Sequence, residues 1–152
     1  MMAEDFNKTM RHGKVTISFS GFNELFNKLD HLGVDIIETA KGVFNDAGPR
    51  LLAASQNLVP VDEGDLKASG RFSKARVSKK DVVTASVNYG GAPLDRLTGK
   101  AQDLRAVMVH ERLELKHTSG SAKYLERPFL AAKESVMEAL RAKIAAMVER
   151  GK

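Results

Sequence analysis

The chain has no cysteine and no tryptophan, and only two tyrosines and four prolines. Without cysteine there are no disulfides, thiolate metal ligands or cysteine nucleophiles, and the redox compartment is left open. Without tryptophan and with little tyrosine, a single-strand nucleic-acid platform, which stacks bases on exposed aromatics, has little to be built from. No apolar run approaches the roughly 18 to 20 residues of a membrane span. The start, Met1-Met2-Ala3-Glu4-Asp5, lacks the basic region and apolar core of a signal peptide. The expectation is a soluble chain that is not exported by that route and has no membrane contact.

What is present fits one domain: 152 residues bury one ordinary core but not two. Lys and Arg number 24 against 19 Asp and Glu, a net charge of +5. The excess is uneven. Lys67, Arg71, Lys74, Arg76, Lys79 and Lys80 fall in one stretch without an acidic residue. It reads either as a solvated strand-and-turn surface or as a face turned to DNA or to an acidic protein.

Along the chain, residues 1–14 are polar and read as a flexible arm before a single α+β domain over 15–152. Val15, Ile17 and Phe19 alternate with polar residues, the mark of a half-buried strand. From Phe22 to Leu58 apolar residues recur every three or four positions, which predicts helix. Gly33 is expected to separate a short first helix from a long second one, and Gly48-Pro49 to kink or restart the second. His31 beside the stripe reads as surface or as a satisfied core residue. Pro60 ends the helix and Asp62-Glu63-Gly64 turns the chain, because Asp bonds its own backbone and Gly tolerates positive φ.

Two strands, Leu66 to Val77 and Val82 to Tyr89, are expected to form a hairpin, followed by a long loop from Gly90 to Asp103. Leu104 to Glu111 reads as a further strand and Leu113 to Ala122 as irregular. Pro128 suits the first turn of a last helix, in which Leu130, Val136, Met137, Leu140, Ile144, Met147 and Val148 line one side and Glu138 and Arg141 are placed to pair. The fold expected is therefore α+β: a small antiparallel or mixed sheet of about four strands against a long N-terminal helix and a C-terminal helix.

Chemistry is sparse. His110-Glu111 invites a zinc-hydrolase reading, but position 114 is Glu where a second His is required. His110, Glu114 and His117 make a weak metal set, and a polar strand edge accounts for them better. The glycine turns at Gly90-Gly91 and Ser119-Gly120-Ser121 lack the lysine and helix of a phosphate loop. No catalytic, metal or cofactor site is assigned.

Three stretches in this order resemble the tail-completion and head-to-tail joining (neck) proteins of long-tailed bacteriophages. They are Ser18-Phe19-Ser20-Gly21-Phe22, the run Val59-Pro60-Val61-Asp62-Glu63-Gly64-Asp65-Leu66-Lys67-Ala68-Ser69, and Val107 to Glu111 followed by Gly120-Ser121-Ala122-Lys123-Tyr124-Leu125-Glu126. Glu63 replaces the family's Thr before the glycine. The resemblance implies a non-enzymatic virion structural protein, assembled in the host cytoplasm, that forms a homo-oligomeric ring of six at the neck or top of the tail. Its partners would be connector and tail-tube proteins. Loops at Gly90, Gly91, Pro93, His117 and Gly120 would then reach neighbouring subunits, with the basic run facing the packaged DNA or an acidic ring. A small basic nucleic-acid-binding protein is the alternative.

Overall fold

The computed structural model describes residues 5–11, 14–20, 36–61, 64–79, 82–90, 103–114, 116 and 119–150. Over these residues the chain is α+β. Strands β1 (Asp5–Arg11) and β2 (Lys14–Ser20) are followed by helix α1 (Ile36–Gln56) and a single helical turn, α2 (Asp65–Ala68). Strands β3 (Arg71–Val77) and β4 (Val83–Tyr89) come next, then helices α3 (Asp103–Glu111) and α4 (Glu126–Arg150). All strand pairings are antiparallel, in the order β1-β2-β4-β3.

The register sorts the sheet into two faces, since cross-strand partners point the same way. Ile17, Val87 and Phe72 lie opposite one another, as do Val15 and Tyr89. On the other face of β3 and β4, Asn88 lies beside Arg71 and Ser86 beside Ser73. The apolar face of β4 belongs to the core: Val83, Ala85, Val87 and Tyr89 are all buried.

Helix α1 crosses that face. Its stripe of Ile36, Ala40, Val43 and Phe44 packs with Ala75, Val83 and Ala85, and α4 completes the cluster with Val136, Leu140 and Ile144. Leu51, Val87, Tyr89, Ala106, Tyr124 and Phe129 form a second cluster. Each large side chain fully buried here contributes about 1.5–3 kcal/mol.

The sheet differs from the expected strand set in three places. Leu104 to Glu111 lies in helix α3, not in a strand. Ala106 and His110, four apart, are both buried while Met108 is exposed, which is a helical period. The alternation of Val107 and Val109 with Met108 imitates a strand, but Ala, Leu, Met and Arg favour helix. Leu66 does not open the third strand, because Asp65–Ala68 is helical and β3 starts at Arg71. Asp5–Arg11 pairs as strand β1 within the stretch read as an arm.

Gly48-Pro49 does not restart the helix. Pro49 lies inside α1 with the helix continuous around it, exposed, so its ring turns away from the core. Gly48 faces the sheet, where the Phe72 ring occupies the space a Cβ would fill. In α4, Leu130 points outward at 54% exposure, and Arg141 pairs with Glu134 at 3.3 Å rather than with Glu138. His31, Gly33 and the short helix expected from Phe22 lie outside the described residues.

Candidate functional site

Two places concentrate polar chemistry. The first is β3, the last strand of the sheet order. Its register against β4 slips between Ser73 and Arg76, so Lys74 and Ala75 together face Ala85 across a bulge. Ala75 turns into the core while Lys74 stays in solvent. The bulge takes the Ala75 N–H out of the ladder, and Asn45 Oδ1 on α1 accepts it at 2.8 Å. That bond pins β3 to the helix at its irregular point.

The bulge also divides the basic run. Arg71 and Arg76 are partnered with Asn88 and Thr84 and so share the hydroxyl-rich face with Ser73 and Ser86. Lys67 lies apart on α2 and Lys79 in the turn, both exposed. Lys80 lies outside the described residues. Arg71, Lys74, Arg76 and Lys79 form no ion pair among the described residues, whereas Lys41, Arg112, Lys123, Arg141 and Lys143 each have an acidic partner.

The second place is a clasp between the turn after α1 and the segment before α4. The Ser121 N–H donates to the Leu58 carbonyl at 2.8 Å, and the Val61 N–H to Ser119 Oγ at 3.4 Å. Gly120, at φ 80°, lies against Pro60 so closely that a Cβ would come within 2.5 Å of the proline nitrogen. This glycine, expected in an inter-subunit loop, therefore packs within its own chain. Gly64 takes φ 87° at the head of α2. Ser69, at the other end of that turn, donates to the Leu66 carbonyl at 2.7 Å and accepts the Gly90 N–H at 3.0 Å, tying the turn to the end of β4.

Beneath the clasp lies a polar and aromatic chain. The Tyr89 and Ser55 hydroxyls are 2.6 Å apart in the core. The Tyr89 and Tyr124 rings meet edge to face, as do Tyr124 and His110, with centroids 5.1 and 5.0 Å apart. The Tyr124 hydroxyl donates to the Ala106 carbonyl at 3.2 Å. His110 is fully buried, with Nδ1 2.7 Å from Glu111 Oε1. Lys123 Nζ bridges Glu111 at 2.6 Å and Glu126 at 3.2 Å, and the Lys123 backbone N–H donates to the His110 carbonyl at 2.9 Å. Burial pushes the Tyr124 hydroxyl well above the ordinary tyrosine range, with Tyr89 and the Glu111 charge adding to it. Burial also raises Tyr89, opposed by its bond to Ser55.

His110, Glu111 and Glu126 bring ligand atoms within 4.8 Å of one another. The Lys123 ammonium sits on both carboxylates and is itself the cation of that cluster. Of the metal set weighed from the sequence, Glu114 is exposed and pairs with Arg112 at 3.7 Å. His117 lies outside the described residues, as do Asp62, Gly91 and Pro93. Ser55, Tyr89 and Asn45 carry no local motif, so spacing alone does not point to them, and Lys123 and Tyr124 stand out only within the stretch that carries the resemblance.

In comparison with known proteins, the chain matches no family model, no curated protein and no solved structure.

Proposed function

We propose that the chain is a non-enzymatic structural subunit of a bacteriophage virion that forms a ring at the head-tail neck or the top of the tail. The reading rests on the resemblance of three stretches, two of which, around Pro60 and around Gly120, meet in the clasp. The observation that carries it furthest is β3 at the end of the sheet order, with Val77 at 40% exposure. A sheet edge and exposed apolar side chains such as Leu113, at 69%, are surfaces that neighbours in a closed ring cover. Six subunits is the number the resemblance implies. In that ring the finer sheet architecture, four strands against two long helices, is one subunit's share of the wall.

Light scattering on the full chain, alone and mixed with connector or tail-tube proteins encoded beside it, tests this. A defined ring, or a shift to one on mixing, is the expected result. A monomer under every condition overturns it.

A further inference from the structure

We infer that the hydroxyl-rich face of the sheet, anchored by Arg71 and Arg76, binds the phosphodiester backbone of double-stranded nucleic acid without reading its sequence. The inference needs only the sheet and stands apart from the ring reading.

Three observations converge on it. Arg71 and Arg76 share this face with Ser73, Thr84 and Ser86, which are the arginine and hydroxyl groups that contact phosphate and sugar oxygens. No acidic residue occurs in β3 or β4, and both arginines are exposed without an ion-pair partner among the described residues. Among the described residues, then, nothing neutralises their charge. Finally, the aromatic residues of β3 and β4, Phe72 and Tyr89, lie in register with the apolar face. Two strands, β3 and β4, without a stacking ring on their polar side suit the regular phosphate rows of a duplex better than splayed single-stranded bases.

The bulge refines the assignment. With Arg71 and Arg76 on one face, and Lys67 and Lys79 beyond the strand ends, the two arginines are the anchors and the lysines add only long-range attraction. Arginine also presents a fork that matches a phosphate in two bonds, whereas lysine acts as a point charge.

The test is fluorescence anisotropy of the full chain with two unrelated duplexes of about 20 base pairs, titrated at salt between about 50 and 200 mM. The variant is Arg71→Gln with Arg76→Gln, and the control is Arg141→Gln with Lys143→Gln on α4, which removes the same charge. Circular dichroism confirms that each is folded. Wild type is expected to bind both duplexes equally, and the β3 variant about tenfold more weakly on each, with the salt slope shallower by about two. The α4 control is expected to change little. No binding by wild type at the lowest salt, or equal loss in the α4 control, overturns the inference. Binding of polyglutamate as tight as that of DNA also overturns it, in favour of an acidic protein partner.

Discussion

Asn45 on α1 and Ala75 on β3 are joined by a hydrogen bond of 2.8 Å from the strand's backbone N–H to the helix side chain. The bond sits where the β3 ladder slips, and four residues before Pro49, which has no N–H to give the Asn45 carbonyl. A helix irregularity and a strand irregularity thus face each other, and one amide side chain bridges them.

Replacing that side chain isolates its contribution. Asn45→Ala leaves a nearly buried N–H without its acceptor and is expected to destabilise by about 1–3 kcal/mol. Asn45→Asp keeps an acceptor oxygen and should recover most of the loss. Urea unfolding with an unchanged m-value reads both. A loss under about 0.5 kcal/mol for Asn45→Ala would mean that water serves the bulge equally well.

Two glycines separate backbone strain from close packing. Gly64 has φ 87° with nothing near its absent Cβ, whereas Gly120 has φ 80° and the Pro60 backbone within 2.5 Å. Gly64→Ala should cost about 1 kcal/mol, the left-handed penalty alone. Gly120→Ala should cost at least about 2 kcal/mol more as the clasp is forced open. Equal costs, measured by thermal and urea unfolding, would show that the clasp yields without resistance.

Lys123 holds φ 58° without being glycine and carries the ammonium between Glu111 and Glu126. Lys123→Ala loses the charge and keeps the strain, while Lys123→Gly loses the charge and relieves it. The glycine variant is expected to be the more stable of the two by about 1 kcal/mol. The reverse order would mean that the chain leaves the left-handed region once the ion pairs are gone.

Alkaline pH should weaken the fold through its tyrosines. Burial raises both folded values, so below about pH 10, the unfolded value, neither state titrates and their contribution is constant. Above it the unfolded chain releases protons that the fold retains, and stability falls as pH rises. Tyr124→Phe should lose about 0.5–1.5 kcal/mol near neutral pH, with its bond to Ala106. It should also show a shallower fall of Tm between about pH 9 and 11 than the parent. Parallel profiles would indicate that Tyr124 ionises freely in the folded protein.

The sequence made the amphipathic elements legible, because a period is a local property. The alternation of Val83 to Tyr89 and the stripe of Ile36 to Leu51 appear in the fold with little change at their ends. Helix α3 was not legible, since Val107 and Val109 alternate over a length too short to tell one period from the other. Nor was the division of the basic run, because a bulge reverses the parity of every later residue and shows only in the pairing. The partners of Asn45, Ser55 and Tyr124 lie on other elements, 30 residues away for Asn45 and 34 for Ser55. No spacing rule reaches that far.

The placement of α4 bears on how the chain behaves while it is being made. Val136, Leu140 and Ile144 close the cluster that α1, β3 and β4 open, so a nascent chain lacking α4 presents Val43, Phe44 and Val83 to water. At about 5–20 residues per second of translation, that face stays uncovered until helix α4 leaves the ribosome. Until then its apolar surface is open to chaperones and to sister chains on the same message.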